Sequence, residues 1–325
     1  MRLFHHLFTL ILFVAVIYRA DAQGCSDAGF CTMGAMKPDQ NYSKRIAIKL
    51  RSIEFNYYKG TSLLTAVIQA ATIDFNLGIN DYSAFQIKLP YMWISGNLGE
   101  EAGPGDISLS YTRHLKTYNG WVVNGTLGTK IPTGDSNETV NNENTIDPET
   151  GIQVNSPIHM YYQPSLGSYD AIAGISALSG KWLFATGIQI ALTKNNNQFT
   201  WNGFPSYPDQ EYVRSHDRGI ELKRGIDVMF RVERNWRFTN FNFSLGALPI
   251  YRITKDEAIL PGTDERGKLP NTTGLALSVL GSFGYHFDVN NSIKIIQGIK
   301  LVDRDFNPDG LTRDDVLSIS YVYKF

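Results

Sequence analysis

From Asp106 to Lys116 every second residue, Ile107, Leu109, Tyr111, Arg113 and Leu115, falls on one face. After Asn119-Gly120 the alternation resumes with Trp121, Val123, Leu127 and Ile131. A period of two with apolar residues on one face predicts a strand, and Asn-Gly between two such runs predicts a tight hairpin. The other face carries Asp106, Ser108, Ser110, Thr112, His114, Lys116, Asn124, Thr126 and Lys130, too polar a set for a dry core. Alternating runs recur at 43–58, 65–78, 83–94, 162–178, 181–193, 217–232, 236–253, 272–287, 292–302 and 312–325. Within the first of these the pattern slips from Ile46, Ile48, Leu50 to Ile53, Phe55, Tyr57, which predicts a bulge near Arg51-Ser52.

Together these make about twelve strands, most of them about 11 to 16 residues long, whereas globular strands average roughly 5 or 6 and tilted membrane-spanning strands need about 9 to 11 plus overhang. Tight turns at Asn80-Asp81, Asn119-Gly120, Ser179-Gly180, Arg234-Asn235 and Asn290-Asn291 alternate with longer connections at 59–64, 97–104, 133–157, 194–216, 254–271 and 303–311. Short turns on one side and long polar loops on the other are the asymmetry of outer-membrane barrels, with the short turns periplasmic. The expected fold is all-β, a single transmembrane antiparallel β-barrel of about twelve strands over residues 43–325. Phe85, Ile87, Leu89, Tyr91 and Trp93 then face lipid, as do Trp182, Phe184, Ile188, Ile190 and Leu192. A soluble barrel would invert the two faces, and strand length, loop asymmetry and the chain end argue against it.

Residues 1–22 have a basic Arg2, an apolar run from Leu7 to Ile17 and a small-x-small Ala20-Asp21-Ala22, the signature of a secretory signal peptide. No later apolar run reaches about 18 residues, which excludes a helical membrane protein. Lys+Arg 30 against Asp+Glu 31 argues against nucleic acid as a partner. Residues 23–42 are expected to form a leader or a short lumenal plug, with Cys25 and Cys31 joined in a small disulfide ring as export implies. No further Cys or His stands near them at ligand spacing, so neither a metal nor a cofactor is expected. The chain closes on Leu317–Phe325, an alternating run ending in Phe. This resembles the terminal strand that the barrel-assembly machinery recognises, with Tyr321, Tyr323 and Phe325 as its contacts.

Gly105-Asp106 before a strand, followed after a turn by Lys130-Ile131-Pro132-Thr133-Gly134-Asp135, resembles the MetA-pathway phenol-degradation family of outer-membrane barrels, a relative of the long-chain fatty-acid transporters. The resemblance implies a transporter-like or channel-like barrel serving uptake of small hydrophobic or aromatic compounds; with the signal peptide and the terminal strand, the expectation is a monomeric, passive barrel in the outer membrane of a Gram-negative bacterium. One departure is the short N-terminal region, about 20 residues in place of a long hatch.

An enzymatic barrel of the phospholipase kind needs a nucleophile beside a base. None of His114, His159, His216 and His286 is followed two residues on by Ser, and no catalysis is expected. The Asn-rich acidic stretch 135–149 lacks the Gly and terminal Glu of a calcium loop and is read as a solvated extracellular loop. On the chosen phase the inward face carries Lys88, Lys116, Lys130, Arg231, Lys294 and Lys300, with Asp227 among their counter-charges and Asp135 at the mouth. These are the lumen and constriction candidates, since a charge in lipid costs about 2 to 4 kcal/mol near the midplane for Lys or Arg. Whether the charges neutralise each other in a packed lumen or bias a water-filled one toward anions stays open, as does a plugged barrel acting through its loops.

Overall fold

A computed structural model describes residues 33, 49–62, 64–310 and 313–325; the signal segment and the expected Cys25–Cys31 bridge lie outside them. Twelve antiparallel strands form the wall: Lys49–Thr61 (β1), Val67–Asn80 (β2), Ser83–Gly96 (β3), Ile107–Tyr118 (β4), Trp121–Ile131 (β5), Asp170–Leu178 (β6), Trp182–Ala191 (β7), Asp227–Arg237 (β8), Phe241–Arg252 (β9), Gly274–His286 (β10), Asn291–Val302 (β11) and Asp315–Lys324 (β12). Each pairs with its neighbour in sequence, and β12 returns to β1 from Lys324 opposite Ser52 to Val316 opposite Gly60. Closure leaves no edge whose amides hydrocarbon would strand. Among the described residues no helix is long and apolar enough to cross a membrane.

The faces sort as the alternation predicts. On β3, Gln86, Lys88 and Ile94 are buried inside while Leu89, Tyr91 and Trp93 stand exposed outside. Leu127, Leu245 and Phe55 are 65%, 55% and 50% exposed. A ring of bare apolar side chains of this extent needs lipid against it. The predicted bulge is present, with the β1–β2 register shifting between Leu50 and Ser52.

Several boundaries differ from the sequence reading. Residues 162–169 are not strand and β6 starts at Asp170; Tyr162 to Ser165 are buried one after another inside the mouth, with none of the in-and-out alternation of a strand. Residues 217–226 also belong to a loop, where Leu222 packs with Ala258 and Leu269. The β8–β9 hairpin turns at 238–240, not at Arg234-Asn235: Trp236 continues the strand, and the Phe238 amide donates to the Phe241 carbonyl at 2.9 Å. A second bulge between His114 and Lys116 sets Lys116 opposite outward-facing Val123. Lys116 is therefore exposed at the short-turn rim, 5.3 Å from the Tyr118 ring centroid, and does not line the lumen.

Inside the wall, polar side chains bond to neighbours around the circumference. Gln86 donates to Asp74 at 2.9 and 3.0 Å, Thr112 meets Thr126 at 2.9 Å, Ser318 donates to Asn56 at 2.7 Å, and Ser244 meets Ser282 at 2.6 Å. One lumenal patch is apolar, formed by Ile172, Leu183, Ala185, Met229, Leu248 and Leu280, and Met33 of the leader is buried against it. The largest apolar cluster sits at the long-loop end, where Tyr58, Ile68 and Ile94 of the wall meet Tyr161, Tyr162, Phe199 and Phe204 of the loops.

Candidate functional site

The connection 132–169 turns into the barrel mouth, and its turn is built by the two motifs singled out above. Pro132 has no amide to give to a ladder. The Thr133 hydroxyl takes over, accepting from the Ile107 amide at 3.1 Å and donating to the Gly105 carbonyl at 2.8 Å. Gly134 lies so close to the neighbouring chain that a Cβ there would stand 2.1 Å from the Pro104 carbonyl oxygen. The Asp135 carboxylate accepts from the Asn137 amide at 2.8 Å, fastening the turn, and its carbonyl accepts from Ser165 N at 3.1 Å.

Asp106 and Lys130 form the floor of this junction, buried on the lumenal side and 3.1 Å apart. The same Asp106 carboxylate accepts from the Ser165 hydroxyl and from the Leu166 amide at 3.1 Å. A charge taken out of water needs such partners, and here they come from the incoming loop. Tyr161 and Tyr162, in a turn of 3-10 helix at Met160–Tyr162, tie the loop to its surroundings. The Tyr161 hydroxyl donates to the Asn307 carbonyl at 2.7 Å; the Tyr162 hydroxyl donates to the Leu64 carbonyl and accepts from the Leu98 amide at 3.2 Å. His159 is buried beneath them, with Nδ1 accepting from the Tyr161 amide at 3.2 Å and Nε2 at 3.2 Å from the His216 carbonyl. Burial pushes its pKa well below the ordinary value, and the nearby His216 adds to the effect.

A second cluster stands beside the loop. Arg252 at the end of β9 reaches three carboxylates: Asp227 at 2.6 and 2.9 Å, Asp256 at 2.9 Å and Asp309 at 2.7 Å. Arg224 pairs with Asp170 at 2.5 Å, and Arg304 stands 3.5 Å from Asp227. Burial pushes the Asp256 carboxyl up. Asp309 is also buried, but Arg252, Arg304 and Arg224 together hold it well below the carboxylate range.

Between the inward loop and the wall remains a cavity of about 30 Å³, lined by Tyr58, Pro90, Met92, Met160 and Pro164 with Asp106, Lys130 and Arg313 at its polar side. A water needs about 10 to 15 Å³ by this measure, so the space holds about two.

The sequence candidates are distributed as follows. Lys130 and Asp135 belong to the junction and Asp227 to the arginine cluster. Lys88 is buried on the lumen wall, Arg231 pairs with Glu233 there, and Lys294 faces the lumen between Gly284 and Ser320. Lys300 bridges Asp303 and Asp314, each at 2.8 Å, at the long-loop end. Sequence reasoning missed Arg224, Arg252, Arg304, Asp256, Asp309 and the loop residues 159–166. Arg252 was within reach, because it continues the inward phase of Asn242, Ser244 and Leu248.

No family model matches the sequence, and neither does any curated protein. Among solved structures, the COG4313 outer membrane channel from Pseudomonas putida F1 superposes with a TM-score of 0.55 at 12% identity, over 88% of this chain and 99% of that one. The fold is that of an outer-membrane β-barrel. The translocator domain of autotransporter NalP from Neisseria meningitidis (TM-score 0.45, 10% identity, 88% and 90% covered) and the CymD monoaromatic hydrocarbon channel (0.42, 10%, 95% and 95%) are more distant. At such identities the likeness speaks for the fold alone.

Proposed function

We propose that this barrel is a monomeric, non-enzymatic channel for passive uptake of small solutes with an apolar body and a polar tip, the phenol-like class that the motif resemblance implies. The observation that carries this reading is the mouth: a loop folded into the lumen, pinned by the two motifs, leaving a space with apolar walls and a polar side formed by Asp106, Lys130, Asp309 and Arg313. Ligand sites combine a mostly apolar lining with a few fixed polar groups in this way. Below the mouth, apart from the apolar patch around Leu183 and Met229, the lumen is lined by hydroxyls, amides and charges, a surface that water can wet. The cavity between the inward loop and the wall holds about two waters, so passage by that route requires the loop to shift. The exposed outward faces of Tyr321, Tyr323 and Phe325 on the strand that closes the barrel suit recognition by the assembly machinery.

The closed mouth and the burial of Met33 in the lumen favour a second reading, a plugged barrel that acts through its loops. Planar-bilayer recording with the purified barrel separates the two. A channel gives discrete conductance steps that a small phenol added at millimolar concentration reduces; silence in a correctly folded preparation supports the plugged barrel.

A further inference from the structure

The outward surface at the short-turn rim carries a charge pattern that the channel reading does not use. Arg113 and Lys116 on β4, Lys181 in the β6–β7 turn and Arg234 on β8 occupy one arc of five neighbouring strands. None of these four cations has a carboxylate partner among the described residues, in contrast to Arg224, Arg231 and Arg252, which are paired. Arg234 is the most constrained. Its guanidinium lies 5.0 Å from the ring centroid of Trp182 and 5.9 Å from that of Trp236, both indoles being part of the lipid-facing aromatic belt and 37% and 42% exposed. Contact with the two ring faces holds the cation in place. Its N–H edges stay available as donors, and the geometry of a guanidinium matches a phosphate. The opposite arc offers Asp288, whose carboxylate is already occupied by the amides of Asn290 and Asn291 and the Asn291 side chain.

We propose that the Trp182–Arg234–Trp236 clamp, with Lys181 beside it, is a binding site for the phosphate headgroup of an anionic phospholipid in the periplasmic leaflet. Three features support this occupant. The short-turn rim faces the periplasm in barrels of this build. Tryptophans sit at headgroup level. An unpaired cation at that depth is attracted to an anionic lipid by about 1 kcal/mol. The acyl chains of the bound lipid would lie along Phe184 and Trp121, whose rings stand 5.7 Å apart on the same outward face.

Native mass spectrometry of the full barrel, released from neutral detergent with equal amounts of phosphatidylglycerol and phosphatidylcholine, tests the site. The wild type is expected to retain phosphatidylglycerol in preference, and Arg234→Gln to reduce that preference about fivefold, which is about 1 kcal/mol. Lys59→Gln, on the outward face of β1 at the other end of the barrel, is expected to leave it unchanged. Equal retention of the two lipids by the wild type overturns the proposal, and so does an Arg234→Gln barrel that matches the wild type or a Lys59→Gln barrel that loses as much. Should Arg234→Gln fail to fold, the wild-type comparison and Lys181→Gln decide in the same way.

Discussion

Lys130 and Asp106 stand 3.1 Å apart with side chains each 1% exposed, and the carboxylate of this pair also holds the backbone and side chain of the loop that closes the mouth. Removing one member of such a buried pair leaves the other charge uncompensated, at about 3 to 5 kcal/mol. Asp106→Asn is therefore expected to loosen residues 165–166 and raise single-channel conductance. Asp106→Asn with Lys130→Met should recover part of the lost stability, measured by the temperature at which heat-modifiable gel mobility is lost.

Gly134 tests the close approach of the motif to its neighbour. Gly134→Ala puts a methyl group where the Pro104 carbonyl stands, and overpacking of this kind costs about 1 to 3 kcal/mol. Gly180→Ala, in a turn with no neighbouring atom within 4 Å, is the matched control and should leave the unfolding temperature unchanged.

Facing can be tested by charge. Leu277 points to lipid and Ser278 to the lumen, so Leu277→Arg should impair assembly by about 2 to 4 kcal/mol while Ser278→Arg assembles and narrows the lumen. Equal yields of folded barrel from the two would contradict the assigned phase.

The strand faces and the bulge at Arg51 were legible in the sequence because each depends on residues next to one another along one or two strands. The inward loop was not. Tyr161 bonds to Asn307, 146 residues away, and Arg252 finds Asp309 57 residues on. No local period records partners at that distance. Residues 217–226 even alternate in part like a strand, since packing between loops also sorts side chains into buried and less buried. Lys116 shows the opposite failure: a bulge one residue before it reverses its face, and bulges inside an otherwise regular run leave little trace in hydropathy.

The loops should respond to acid. In the closed mouth the Nδ1 of His159 accepts from the Tyr161 amide, and a proton there would set two N–H groups against each other. His216 is likewise held below its ordinary value, by burial and by Arg218. The closed arrangement thus binds fewer protons than an open one, whose histidines titrate near about 6.5. Closure is unpenalised above that pH and weakens as pH falls below it. Asp217 works the other way, since burial raises its carboxyl. Its effect begins nearer the carboxylate range. Proteolytic cleavage of the loops should accelerate between pH 7.5 and pH 5 in the wild type, and His159→Gln should flatten that dependence; parallel profiles would remove His159 from the account.

Whether the inward loop sets the pore is decided most directly by single-channel conductance in planar bilayers, comparing the wild type with a barrel in which residues 159–166 are replaced by a short Gly-Ser linker. The channel account predicts small steps from the wild type and steps several-fold larger from the variant. Silence from both, or equal conductance from two correctly folded barrels, would contradict it.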